Sequence, residues 1–184
     1  MTFISTFENC GNLTSLDLSH FKTDRASDMS NMFTNCTSLE YLKINFNTEK
    51  VTQMPNMFAN CTSLTSIDLS SWNTASVTKM SNMFEGCTSL EHLTLGFNTI
   101  KVQSMQNMFL NCISLLSLDV SSFDTSSVSN MSNMFKNCVS LSSLDISNFD
   151  VSKCSMFENI FENDEGLVLY INSTAYEIMK DEEI

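Results

Sequence analysis

The sequence predicts an α/β solenoid in which short parallel strands alternate with short helices along a stack of repeated units. Phenylalanine recurs at a nearly constant spacing, and cysteine follows it at the third position in the first six units. Within each unit, apolar residues alternate over a short stretch and then follow a helical period. The phenylalanines are Phe7, Phe33, Phe58, Phe84, Phe109, Phe135 and Phe161, and the cysteines are Cys10, Cys36, Cys61, Cys87, Cys112 and Cys138.

The strand part of each unit reads Leu-x-x-Leu-x-Leu, as in Leu13, Leu16 and Leu18. This pattern is typical of leucine-rich repeats. Alternation places Leu16 and Leu18 on the inner face of a strand and Asp17 on the outer face. One strand per unit predicts a parallel sheet, with strands centred near Asp17, Lys43, Asp68, Thr94, Asp119 and Asp145.

The second part of each unit carries the apolar stripe of a helix, for which Val77, Met80, Met83, Phe84 and Cys87 are the example. The expected helices contain Met29, Met54, Met80, Met105 and Met131. A threonine three positions before the stripe suits a hydroxyl N-cap, at Thr48, Thr74, Thr99 and Thr125. An asparagine position shared with Gly86 predicts a positive φ that ends each helix, at Asn9, Asn35, Asn60, Asn111, Asn137 and Asn163. The prediction is therefore a right-handed leucine-rich-repeat solenoid, with the parallel sheet on its concave face and the helices on its convex face.

Stacking of the units predicts two aromatic ladders in the core and buried, free thiols. One ladder is the series from Phe7 to Phe161, and the other lies just beyond the strands, at Phe21, Phe46, Trp72, Phe97, Phe123 and Phe149. Parallel Cβ vectors in neighbouring units keep the cysteine sulfurs from disulfide geometry. A Cys-x-x-Cys pair is absent from the sequence, so we expect no zinc site.

The repeat unit resembles the BspA-like leucine-rich repeat, a repeat of bacterial surface proteins. The segment Val77-Thr-Lys-Met80-Ser-Asn-Met83-Phe84-Glu-Gly-Cys87-Thr-Ser-Leu90 carries the resemblance, which covers about residues 7–166. The resemblance implies a surface-exposed or secreted protein that adheres to host proteins or cells. The chain itself shows no export signal and opens within a repeat, so we expect a fragment of a longer protein.

The expected domain division is a solenoid over 1–166 and a capping strand and helix over 167–184. In the last unit the cysteine position is Asp164, and Leu167 to Ile171 form a denser apolar run before an acidic end. That run is far shorter than the roughly 20 residues that cross a bilayer. A net charge of −12 and a pI near 4.3 argue against nucleic acid and anionic membrane surfaces as partners. We therefore expect neither nucleic-acid binding nor membrane insertion.

The outer strand face is where we expect a partner to bind, because its residues are free of packing constraints. The predicted partner-binding residues are Tyr41, Lys43, Asp68, His92, Thr94, Asp119 and Asp145. The phenylalanine spacing alternates at first between a longer and a shorter unit, which differ by a single residue. The longer units place aspartate on this face and the shorter units place Lys43 or Thr94, which limits repulsion between adjacent strands. Asp119 and Asp145 stand side by side, but a calcium site gathers about six or more oxygens, so no metal or other cofactor is predicted.

The sequence is compatible with two functions. The two histidines, His20 and His92, belong to no recognisable catalytic or metal-ligand set, so we predict no enzyme. The first function is a surface or secreted interaction module that binds a protein or glycan through the concave sheet. The alternative is a structural spacer within a larger surface protein, which repeats at nearly constant spacing would serve equally well.

Overall fold

The computed structural model describes residues 1–180, and it contains six short strands and one helix. Strands β1 (Ser15–Leu18) and β2 (Tyr41–Ile44) form a parallel pair, as do β3 (Ser66–Leu69) and β4 (His92–Leu95). Strands β5 (Ser143–Asp145) and β6 (Val168–Tyr170) form a third parallel pair, and α1 (Ser173–Met179) follows. The predicted parallel pairing of successive units is confirmed in these three pairs. Among residues 1–180, α1 is too short to cross a membrane.

The sheet is less continuous than the sequence predicted. The three parallel pairs are separate two-stranded sheets. The strand expected around Asp119 is reduced to one isolated bridge between Ser117 and His92. In each pair, the first strand carries an aspartate and leads into a turn. The backbone N–H of the next aromatic residue closes this turn, as when Phe21 donates to the carbonyl of Leu18 at 2.9 Å. The second strand lacks this turn in every described pair.

The helices predicted around Met29, Met54, Met80, Met105 and Met131 were wrong, because these segments are runs of turns. In the unit that contains Met29, alternate backbone N–H groups donate to the next unit at 2.8–3.0 Å: Met29 to Gln53, Asn31 to Pro55, Phe33 to Met57 and Asn35 to Ala59. The intervening N–H groups of Met32, Thr34 and Cys36 close turns onto the residue three positions earlier. An α-helix would instead use the residue four positions earlier.

Positive φ angles explain why a helix does not form. The predicted left-handed asparagine is confirmed, as at Asn35 with φ 60°, but a second one lies four positions earlier, at Asn31 with φ 57°. Two left-handed residues per unit interrupt a helix every turn and aim alternate N–H groups at the neighbouring unit. The second series is Asn31, Asn56, Asn82, Asn107, Asn133 and Asn159.

The threonines predicted as N-caps have a different role. The hydroxyls of Thr48, Thr74, Thr99 and Thr125 are buried and donate across to a carbonyl of the following unit at 2.8–3.0 Å. Asparagine side chains likewise bond to each other between units, as from Asn60 Nδ2 to Asn35 Oδ1 at 3.0 Å. Polar contacts therefore tie each unit to the next rather than ending a helix within one unit.

The core contains the two predicted aromatic ladders. In the Phe7 to Phe161 series, successive ring centroids lie 5.5–5.7 Å apart and the rings are nearly parallel. The second ladder runs from Phe21 to Phe123 at 6.1–6.5 Å. Phe149 is buried, but its ring makes no stacking contact with Phe123 among the described residues. All seven cysteines are free, and all except Cys10 are buried.

The cysteine thiols also join neighbouring units. Five of them, from Cys36 to Cys138 in the repeat series, donate to the carbonyl of the phenylalanine in the preceding unit at 3.1–3.3 Å. Burial is the main cause that raises the pKa of Cys36 to about 11 and that of Cys87 to about 12. The thiols are consequently neutral hydrogen-bond donors and poor nucleophiles.

The last described segment contains a strand and a helix, where the sequence predicted a cap. Asn172 Oδ1 accepts from the backbone N–H of Ala175 at 2.8 Å and so begins α1. The side-chain amide of Asn172 also donates to the carbonyls of Ser147 and Phe149, which ties α1 to the preceding unit. Ala175 and Met179 are fully buried. The acidic end predicted at 181–184 lies outside the described residues.

Candidate binding face

We use the term strand face for the exposed side chains on the outer side of the strands. Its central row is Asp17, Lys43, Asp68, Thr94, Asp119 and Asp145, and its flanking row is Ser15, Tyr41, Ser66, His92, Ser117 and Ser143. All of these side chains are exposed, whereas the residues between them, such as Leu42, Ile67 and Leu93, are buried. The strands position the face by alternation, as their period of two requires.

The structure divides the predicted binding residues between two shallow depressions. Tyr41, Asp68, His92 and Thr94 line the first, of about 260 Å³, together with Glu40 and Ser66. Asp119 and Asp145 line the second, of about 420 Å³, together with Ser117, Ser143 and Tyr170. Lys43 lines neither of these two depressions. The predicted set therefore forms two groups along one face.

Lys43 pairs instead with the neighbouring strand. Its Nζ lies 3.4 Å from Oδ2 of Asp17, which is in register with it on β1. Both side chains are about half exposed, so the pair contributes little to stability. The pair does neutralise the first two positions of the central row.

The aspartates of the strand face have a structural role that the sequence analysis missed. Each Oδ1 accepts the backbone N–H of the serine two positions later at 2.9 Å: Ser19 for Asp17, Ser70 for Asp68, Ser121 for Asp119 and Ser147 for Asp145. Hydrogen bonds from the hydroxyl and the backbone N–H of Ser19 lower the pKa of Asp17 to about 2. The corresponding serines lower the pKa of Asp68, Asp119 and Asp145 in the same way.

Unit length explains where these aspartates occur. A longer unit has one more residue between the strand and the next ladder aromatic than a shorter unit has. The additional residue makes the turn that closes at Phe21, Trp72, Phe123 and Phe149, and the aspartate stabilises that turn from its start. Lys43 and Thr94 belong to the shorter units, which have no such turn to stabilise.

The strand face carries four aspartates and His92 as side chains that could bind a metal ion. Within residues 1–180, no group of three His, Cys, Asp or Glu side chains could hold a metal ion. His20 lies apart from His92, in a different depression bounded by Ser19 and Asp24. One oxygen of each strand-face aspartate accepts a turn N–H. The other oxygen pairs with Lys43 in Asp17, whereas in Asp68, Asp119 and Asp145 it has no such ion pair among the described residues.

Several exposed apolar side chains were missed by the sequence analysis. Tyr170 on β6 is 57% exposed and borders the second depression. Ile113, Leu116 and Val139 are 42%, 48% and 55% exposed, just before the strand positions of the fifth and sixth units. Comparison of equivalent positions could have revealed them, because the earlier units mostly carry threonine or glutamate there.

Comparison with known proteins identifies a family but no characterised relative. No protein among those with curated descriptions matches the chain. One family model matches it twice, over residues 1–115 and 94–181, as the internal repeat would lead us to expect. These matches together span nearly the whole chain, which therefore belongs to the family described as Mycoplasma protein of unknown function, DUF285.

Proposed function

We propose that this chain is a right-handed leucine-rich-repeat solenoid of the BspA-like kind and that it serves as a non-enzymatic interaction module. The parallel pairing between successive units and the ladders that run from unit to unit support a solenoid. The Leu-x-x-Leu-x-Leu pattern supports the leucine-rich class. The resemblance to BspA-like repeats supports an adhesive protein at the cell surface or in secreted form.

The observation that carries the binding role is the contrast between the two sides of each strand. The buried positions hold only leucine, isoleucine or valine, whereas the exposed positions change from unit to unit. The flanking row, for example, holds serine in four units, Tyr41 in the second and His92 in the fourth. No side-chain hydrogen bond between described residues explains why Tyr41 and His92 replace serine. Side chains that neither pack nor support a turn can vary to suit a protein or glycan partner.

The charge and shape of the face indicate what kind of binding to expect. Carboxylates, Lys43 and the rings of Tyr41 and His92 lie on one surface around open depressions. Such a surface suits a polar macromolecular partner bound with modest affinity that falls as salt is added. It does not suit a small molecule, because such ligands are bound in deep, mostly apolar pockets.

The competing proposal is a structural spacer within a larger surface protein. The buried threonine, asparagine and cysteine contacts between units would give a spacer its stiffness. A spacer, however, has no use for large side chains at single exposed positions. The two proposals differ in their response to substitution of Tyr41, Lys43 and His92.

Binding to immobilised host extracellular proteins and to host cells tests the proposal. The triple variant Tyr41→Ser, Lys43→Ser and His92→Ser should lose binding while its melting temperature stays nearly unchanged. A matched control replaces Ile100, Lys101 and Lys153 with serine, because these exposed residues line a separate depression. Full binding by the strand-face variant would show that the site assignment is wrong, and absence of binding by the unsubstituted chain would favour the spacer.

A further inference from the structure

The repeated units provide an internal comparison, and two of them differ from the rest along one edge of the strand face. Immediately after the cysteine, three earlier units carry threonine, at Thr37, Thr62 and Thr88, whereas the fifth and sixth carry Ile113 and Val139. Immediately before the strand position, the first four units carry Thr14, Glu40, Thr65 and Glu91, whereas the fifth carries Leu116. Polar side chains thus give way to apolar ones at three exposed positions.

The core does not account for these apolar side chains. Ile113, Leu116 and Val139 are between 42% and 55% exposed, so about half of the apolar surface of each remains in water. The change also removes polar contacts. Thr62 and Thr88 donate their hydroxyls to the carbonyl of the equivalent residue in the preceding unit, which Ile113 and Val139 cannot do. In these two units only the serine that follows, Ser114 or Ser140, donates to that carbonyl.

The three apolar residues belong to the same two units as Asp119 and Asp145 of the second depression. Leu116 directly precedes Ser117, which lines that depression with Asp119, Asp145 and Tyr170. Ser140, which follows Val139, donates its hydroxyl to the carbonyl of Ile113 at 2.6 Å, so the two units adjoin at this edge. We call the surface formed by Ile113, Leu116, Val139, Asp119, Asp145 and Tyr170 the distal patch.

The charge of the distal patch decides which partner fits it. Asp17 in the first unit is paired with Lys43, whereas the residues around the second depression include no lysine or arginine to pair with Asp119 and Asp145. A second copy of the chain would bring another net charge of −12 and repel it. A neutral glycan would leave the two carboxylates without a counter-charge. A protein segment with both apolar and cationic side chains satisfies the apolar edge, the carboxylates and the exposed ring of Tyr170 together.

We propose that the distal patch is the docking surface for a basic, amphipathic protein segment that carries apolar side chains beside lysine or arginine. The inference rests on the proposed function, since it names the class of partner that would bind at the second depression of the same strand face. The apolar side chains of the segment cover Ile113, Leu116 and Val139. Its cations meet the free oxygens of Asp119 and Asp145, and the ring of Tyr170 offers a face to one of them.

A synthetic peptide of alternating leucine and arginine is the probe, and binding to the full chain is measured by calorimetry at two salt concentrations. The first variant replaces Ile113, Leu116 and Val139 with threonine, a residue that earlier units carry at the same positions. It should weaken binding by at least about tenfold, because these side chains form the apolar contact. A peptide of alternating leucine and glutamate should not bind.

The carboxylates are tested with a control from the same units. Asp119→Asn with Asp145→Asn keeps the oxygen that accepts the serine N–H and should weaken binding by about two- to tenfold, with a smaller salt dependence. Asp124→Asn with Asp150→Asn makes the same charge change at turn aspartates that also accept a serine N–H but lie away from the strand face. This control should bind the peptide nearly as well as the unsubstituted chain.

The outcomes separate this inference from the proposed function. Unchanged peptide binding by the threonine variant, or equal weakening by the two asparagine pairs, would overturn the inference. In that case, loss of host-protein binding by the variant at Tyr41, Lys43 and His92 would leave the proposed function intact. Loss of peptide binding by the threonine variant alone, with the variant at Tyr41, Lys43 and His92 unaffected, would support the distal patch.

Discussion

Replacement of Asp164 with asparagine should stabilise the protein at neutral pH but not in weak acid. Asp164 occupies the position at which the first six units carry cysteine, and it lies in the turn region before β6. Both of its carboxyl oxygens are buried and accept no hydrogen bond in the described structure. The backbone N–H of Cys138 lies close to it but already donates to the carbonyl of Phe135 at 3.0 Å. The ionised carboxylate is therefore poorly solvated.

Burial raises the pKa of Asp164 from 3.8 to about 7. Between these two pH values the folded chain therefore keeps a proton on Asp164, whereas the unfolded chain has released it. In this window the folded state binds more protons, and the free energy of unfolding therefore falls as pH rises from about 4 to about 7. The full shift corresponds to about 4 kcal/mol. Because the side chain is only partly buried, water screens the charge, and we expect about 1–2 kcal/mol.

Urea unfolding across this pH range measures the effect in Asp164→Asn and in the unsubstituted chain. The two should differ little near pH 4, and the variant should be more stable by about 1–2 kcal/mol above pH 7. Glu85, whose pKa burial also raises, is present in both chains and cancels in the difference. Glu165→Gln removes one charge at the exposed neighbouring residue and serves as the control. A stability difference that is constant with pH would refute the reasoning.

Three further predictions concern the core, the thiols and the turns. Phe84→Ala should lower the free energy of unfolding by about 3–5 kcal/mol, because the ring is fully buried between two stacked neighbours, and a melting temperature near that of the unsubstituted chain would contradict this. Thiol titration should find the buried cysteines unreactive in the folded chain and all seven free after denaturation without reductant, whereas a lower number would reveal disulfides. Asn82→Ala should lower the free energy of unfolding, measured by thermal unfolding, by about 1–2 kcal/mol, because alanine tolerates the φ of 59° poorly and cannot bond to Asn56. Asn82→Gly should recover part of the loss. Equal stability of the alanine and glycine variants would show that the backbone conformation is not the cause.

The apolar pattern was sufficient to predict which residues are buried, but not how the backbone runs between them. Met80, Met83, Phe84 and Cys87 are all buried, as a helical stripe requires. A run of turns with a left-handed residue at Asn82 and another at Gly86 buries the same positions. The spacing of apolar residues alone therefore cannot distinguish an α-helix from this run of turns. The separating signal was Asn82 itself, since asparagine recurs at that position in every unit from Asn31 to Asn159.

The candidate site was predictable in part, for a related reason. Alternation along the strands correctly placed Tyr41, His92 and the aspartates on the exposed side. The distances between units could not be read from the sequence, so the grouping into two depressions and the pairing of Lys43 with Asp17 became visible only in the structure. Tyr170 was missed because it was assigned to the cap rather than to the binding face.

The differences between units have two kinds of cause, and separating them shows which differences point to a partner. The alternation of aspartate with Lys43 and Thr94 follows unit length, because the longer turn needs a carboxylate to accept its serine N–H. That variation would exist in a spacer as well as in a binder. The apolar residues Ile113, Leu116 and Val139 follow no such rule, and Ile113 and Val139 lack the hydroxyl with which Thr62 bonds to the preceding unit. Apolar side chains that leave about half of their surface in water, and that unit length does not explain, are therefore the differences that point to a partner.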